Sequence, residues 1–79
     1  MIVGSTYSLI NFKKIDRRDH KFSSLRCQLI SRGFIPGKNF VISKISPLGD
    51  PVELRSCNLL SSIIVRMVDL LRIVNFEQK

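Results

Sequence analysis

Polar and apolar positions alternate near the start of the chain, at Tyr7, Leu9 and Asn11, and then slip so that Ile10 and Phe12 take up the pattern. The run 7–15 is rich in strand formers and predicts a first strand. Residues 16–21 carry no apolar side chain and read as an exposed loop. From Phe22 the period changes: Phe22, Leu25, Leu29 and Ile30 stand at i, i+3, i+7 and i+8, one stripe of a helix running to Arg32. Ser23 or Ser24 is placed to cap its start. Gly33 can take the left-handed conformation that ends a helix, which lets Phe34 pack back on Leu29. Pro36-Gly37 then reads as a turn, with proline fixing φ and glycine supplying the positive φ that follows.

Residues 40–45 read as a strand, and Val52 and Leu54 alternate with Glu53 and Arg55 in the next one. The turn from Pro47 to Pro51 makes these two strands a hairpin, with its prolines at strand ends where a missing N–H costs least. Leu59 to Val65 reads as a further strand, residues 66–69 as a helical turn, and Leu70 to Phe76 as the last strand. The sum is mainly β: a small β-barrel with one short helix over about 22–32. At 79 residues the chain makes a single domain over 1–79, with its core in about 7–76.

Composition supports a folded domain, with 44% hydrophobic and 24% charged residues and no tryptophan. Charge adds a second constraint. Thirteen Lys and Arg against six Asp and Glu give +7. Most of the basic residues precede position 45, including Lys13, Lys14, Arg17, Arg18 and Lys21. Such asymmetry favours an acidic partner, whether nucleic acid, an anionic membrane surface or an acidic protein face. Within 13–21 there is no aromatic to stack on a base, and only His20 could serve, which argues against nucleic acid.

Cys27 and Cys57 form no CxxC and read as reduced thiols, small core residues in type. No signal peptide and no apolar run of spanning length is visible, since Leu59 to Val74 is broken by Ser61, Ser62, Arg66, Asp69 and Arg72. The expectation is a soluble cytoplasmic protein.

No enzyme site is legible. The single histidine, His20, lies in a charged loop, and no nucleophile elbow or phosphate-cradling glycine loop is present. Asp50 and Glu53 at a hairpin end lack the burial that would split their pKa values into an acid and a base. Ferrous iron wants histidine and carboxylates at fixed geometry, and one histidine with six scattered acids under a positive net charge offers none. The expectation is no metal site and no cofactor, with Asp50 a turn residue whose carboxylate binds nearby backbone N–H groups.

Two motifs go further. Arg32-Gly33-Phe34-Ile35-Pro36-Gly37, preceded by Leu25 and Leu29, and Pro47-Leu48-Gly49-Asp50-Pro51-Val52 together resemble the core of the FeoA family, small cytosolic components of bacterial ferrous iron uptake. The resemblance covers about residues 7–74. It weakens after Cys57-Asn58: against the family's Leu-Arg-Lys step followed by an acid, Arg66 and Asp69 fit, but Val65 and Met67 depart. It implies an SH3-like barrel with a helix beside it and a non-catalytic, accessory role. The implied partner is a FeoB-like membrane iron permease with a cytosolic GTP-binding domain. Membrane association would then be peripheral, at the inner face and only through that partner. The same barrel ends iron-dependent repressors, where it is a protein-interaction domain.

The partner-binding candidates are Leu48, Asp50 and Pro36 in the two turns, and Lys13, Lys14, Arg17 and Arg18 in the basic segment. Leu48, a large apolar residue at the tip of a polar turn, either folds back over the barrel's open end or stays exposed as an anchor. Two other readings follow from charge: a small basic nucleic-acid-binding barrel, and a GTPase-activating protein reaching a phosphate with Arg17, Arg18 or Arg66.

Overall fold

The computed structural model describes residues 3–16, 18–57 and 61–79. Five strands and two helices follow in the order β1 (Thr6–Phe12), α1 (His20–Ser31), β2 (Asn39–Ile45), β3 (Val52–Ser56), β4 (Ser62–Val65), α2 (Met67–Ile73) and β5 (Val74–Gln78). All neighbouring strands are antiparallel, in the order β4-β3-β2-β1-β5. Their inward side chains meet in one cluster, so the sheet curls around a single core in the manner of a small SH3-like barrel.

The slip in the first strand has a structural cause. The register of β1 against β5 shifts between Leu9 and Asn11, a bulge that leaves Ile10 and Asn11 exposed and turns Phe12 back toward the core. A second shift between Ile42 and Lys44 in β2 does the same for Ile45, which packs against the core although it lies three residues beyond Ile42. The centre of the core is aromatic. Phe40 stacks on Tyr7 at 5.7 Å between ring centroids and meets Phe34 and Phe76 edge-on at 6.1 and 5.8 Å. Such pairs add about 0.5–1.5 kcal/mol beyond burial of their area.

The helix α1 begins two residues before the expected start, and its cap is neither Ser23 nor Ser24. The Asp19 carboxylate accepts the Phe22 N–H at 3.2 Å, so the charged run holds the cap and first turn of the helix. At the other end, the Phe34 N–H donates to the Leu29 carbonyl (2.9 Å) and the Gly33 N–H to the Ile30 carbonyl (3.1 Å). This is a Schellman closure, made possible by φ +86° at Gly33. Leu29 is fully buried, and Phe22 and Leu25 pack beside it. Ile30 leaves the expected stripe and is exposed. Leu29→Ala is expected to cost about 2–5 kcal/mol. A loss below about 1 kcal/mol in denaturant melts would remove Leu29 from the core.

Two further expectations need correction. Residues 70–76 are not one strand: α2 runs to Ile73, burying Leu70 and Ile73, and the last strand begins at Val74. An apolar run this short does not tell helix from strand. Cys27 and Cys57 are exposed and not core residues. Of the strand expected at 59–65, residues 62–65 form β4, while Leu59 and Leu60 lie outside the described residues.

Candidate docking site

The hairpin between β2 and β3 is closed by hydrogen bonds from Gly49 N–H to the Ser46 carbonyl (2.7 Å) and from Ser46 N–H to the Pro51 carbonyl (3.1 Å). Pro47 and Leu48 occupy the two central positions of this turn. Backbone geometry therefore pushes the Leu48 side chain outward, and 94% of it is exposed. It does not fold back over the barrel.

Beside this tip lies an open apolar groove of about 380 Å³, lined by Ile45, Gly49, Val52, Met67, Leu71 and Phe76. It sits where β2, β3, β5 and α2 converge. A second cleft, about 310 Å³, lies along Pro47, Pro51 and Ile64, with Lys44 and Glu53 at its margin. Ile64 is 67% exposed there. The hairpin tip thus stands between two apolar depressions, an arrangement suited to gripping another chain's apolar side chains.

Asp50 performs a task the sequence only half indicated. Its carboxylate does bind a backbone N–H, but one 17 residues away: Oδ1 accepts the Met67 N–H at 2.7 Å. The N-cap position of α2, Arg66, supplies no side-chain cap of its own. Asp50 therefore caps α2 from the neighbouring hairpin and fixes the Gly49 and Met67 walls of the groove against each other. The Arg66 guanidinium lies 3.8 Å from Asp50 Oδ2 in a solvent-exposed pair that adds little by itself. Asp50→Ala is expected to cost about 0.5–2 kcal/mol, and Asp50→Asn less, because an amide oxygen can still accept the Met67 N–H. Equal melting temperatures for all three proteins would show that the cap carries no stability.

The basic segment is spread around a different depression, about 210 Å³, bordered by Lys14, Asp16, Asp19, Phe22 and Arg72. Lys13 connects it to the groove, since its Nζ donates to the Leu71 carbonyl at 2.7 Å. Arg18 extends into solvent with Nε 3.6 Å from Asp16 Oδ1. Arg17 lies outside the described residues. Pro36 stands beyond the other end of β2 from Leu48. It follows α1 in a type II turn, with Lys38 N–H bonded to the Ile35 carbonyl and φ +88° at Gly37. The seven-residue β2 separates the two turns by about 20 Å.

The structure thus places Leu48 and Asp50 together at the groove, sets Lys13 at its flank, and leaves Lys14 and Arg18 on an adjoining face. Sequence reasoning missed Ile45, Met67, Leu71 and Phe76. The signal for Leu71 was the Leu70-Leu71 pair, of which a one-sided helix can bury only one.

Among the described residues, no three His, Cys, Asp or Glu side chains gather as a group that could hold a metal ion. No described helix is long and apolar enough to cross a membrane. All six aromatic residues are described: Tyr7, Phe34 and Phe40 are buried, and Phe12, Phe22 and Phe76 are half-buried.

These features define a small SH3-like barrel with an open apolar groove, and no protein-family model matches the chain. Among solved structures, the chain shares its fold with iron(II) transport protein A from Clostridium thermocellum, with a TM-score of 0.72 at 22% identity. That match takes in 99% of this chain and 42% of the other, so the chain spans less than half of that protein's length. A protein from Pseudomonas aeruginosa has the same fold with a TM-score of 0.60, again at 22% identity, over 99% of this chain and 93% of its own.

Proposed function

We propose that the chain is a non-catalytic accessory protein of ferrous iron uptake of the FeoA type. In this reading it works at the inner face of the cell membrane and docks on the cytoplasmic GTP-binding part of the iron permease. The observation that carries the reading is the turn motif at residues 47–52, with its leucine held out beside an apolar groove. The fold shared with iron(II) transport protein A supplies the iron context. An apolar anchor on a turn fixed by proline loses little entropy on binding, and the groove beside it can receive an apolar side chain in return. Phe22, the half-buried ring among the cations, already lies beneath Lys21 and Arg72, which leaves a base little face to stack on and favours a protein partner.

The functional test is uptake of radiolabelled Fe²⁺ by cells lacking the gene. The wild-type chain restores uptake, and Leu48→Asp does not, although it accumulates to the same level. Full restoration by Leu48→Asp would contradict the docking role. The isolated chain is also expected to bind no Fe²⁺ tightly at neutral pH, because its donors are scattered. Anaerobic calorimetry showing stoichiometric sub-micromolar binding would overturn that expectation and point first to His20 with Asp16 or Asp19.

A further inference from the structure

The helix α2 is turned inside out on one side. Leu70 and Ile73 are buried, and successive 100° steps place Leu71, Val68 and Arg72 on one outward arc. Val68 is 54% exposed and Leu71 48%. Cations frame this arc. Arg66 stands at the N-cap, Arg72 lies on the arc over the Phe22 ring at 5.6 Å, and Lys13 is fixed to the Leu71 carbonyl. Nearby acids are already engaged: Asp69 with Lys21 at 3.4 Å, Asp50 with Arg66, and Asp16 with Arg18. Among the described residues, no ion pair joins Lys13, Lys14 or Arg72, and all three are exposed.

We infer that the outer arc of α2 is a contact face for an anionic membrane surface. Two aliphatic side chains between cations match what a lipid interface takes: apolar groups seat at the acyl boundary while Lys and Arg meet the headgroup phosphates. Charge selects this occupant over a neutral bilayer or another copy of this +7 chain. The inference goes beyond docking through the partner and does not depend on it: Leu71 belongs to both faces, but Val68 and Arg72 do not line the groove and Leu48 is not on the arc.

The test exploits the absence of tryptophan. Val68→Trp places the chain's single tryptophan on the arc, where it can be excited apart from Tyr7. Its emission is expected to shift to the blue on adding vesicles of equimolar phosphatidylcholine and phosphatidylglycerol, and to stay unchanged with phosphatidylcholine alone. Co-sedimentation of the wild-type chain with the anionic vesicles should weaken as salt rises to about 0.15 M. Neutralising Lys13→Gln or Arg72→Gln should weaken it roughly fivefold each, with the fold checked by circular dichroism. Leu48→Asp should leave vesicle binding intact, which separates this face from partner docking. No binding to anionic vesicles at low salt, no blue shift at position 68, or binding unaffected by Lys13→Gln and Arg72→Gln would each overturn the inference.

Discussion

Phe40→Ala is expected to lower stability by about 3–5 kcal/mol, the largest effect of any single substitution in the barrel. Phe40 is 1% exposed and sits in β2, the middle strand of the sheet. Its ring touches Tyr7, Phe34 and Phe76, so truncation leaves a cavity among three aromatic faces that rigid strands cannot close. A domain of this size has roughly 4–12 kcal/mol in all, so the variant keeps a small part of that or does not fold at room temperature. Urea unfolding followed by circular dichroism measures it. A loss under about 1 kcal/mol would show that the aromatic cluster is not the core.

Leu48→Asp is expected to act in the opposite way, with a large effect on association and almost none on folding. The side chain is 94% exposed and contributes little burial, so stability should change by no more than about 0.5 kcal/mol. If Leu48 is the anchor, a carboxylate must be desolvated in an apolar pocket of the partner. Association should then weaken by roughly 2 kcal/mol or more, about thirtyfold in Kd. Calorimetry against the permease's cytoplasmic domain reads the first effect, and thermal melts read the second. A marked fall in melting temperature with unchanged affinity would reverse both assignments.

Much of the barrel was legible because its signals are local. Gly33 after a leucine stripe predicted a helix end, and the structure closes it with the Phe34 and Gly33 N–H groups as that pattern requires. Pro36-Gly37 predicted a turn with positive φ at the glycine, and it is one. Even the slipped alternation at Ile10 and Phe12 had meaning, as a bulge, though alternation alone cannot tell a bulge from a strand end.

What stayed hidden depends on residues far apart in the chain. The helix α2 starts where it does because Asp50 reaches Met67 across 17 positions, and no window of local sequence contains that bond. Asp19 was missed as a cap because a dense run of charges masks one carboxylate with a structural task. The groove was invisible for the same reason as α2: its walls come from four separate elements. Leu48 and Pro36, which looked equivalent as turn residues, proved to be at opposite ends of β2.

Docking through the Leu48 groove can be read residue by residue in an NMR titration of isotope-labelled chain with the cytoplasmic GTP-binding domain of the permease. Amide shifts are expected to move at residues 45–50 and around Met67, Leu71 and Phe76, with little change near Pro36. No perturbation at stoichiometric partner, or shifts confined to the Pro36-Gly37 end, would contradict docking through the Leu48 groove.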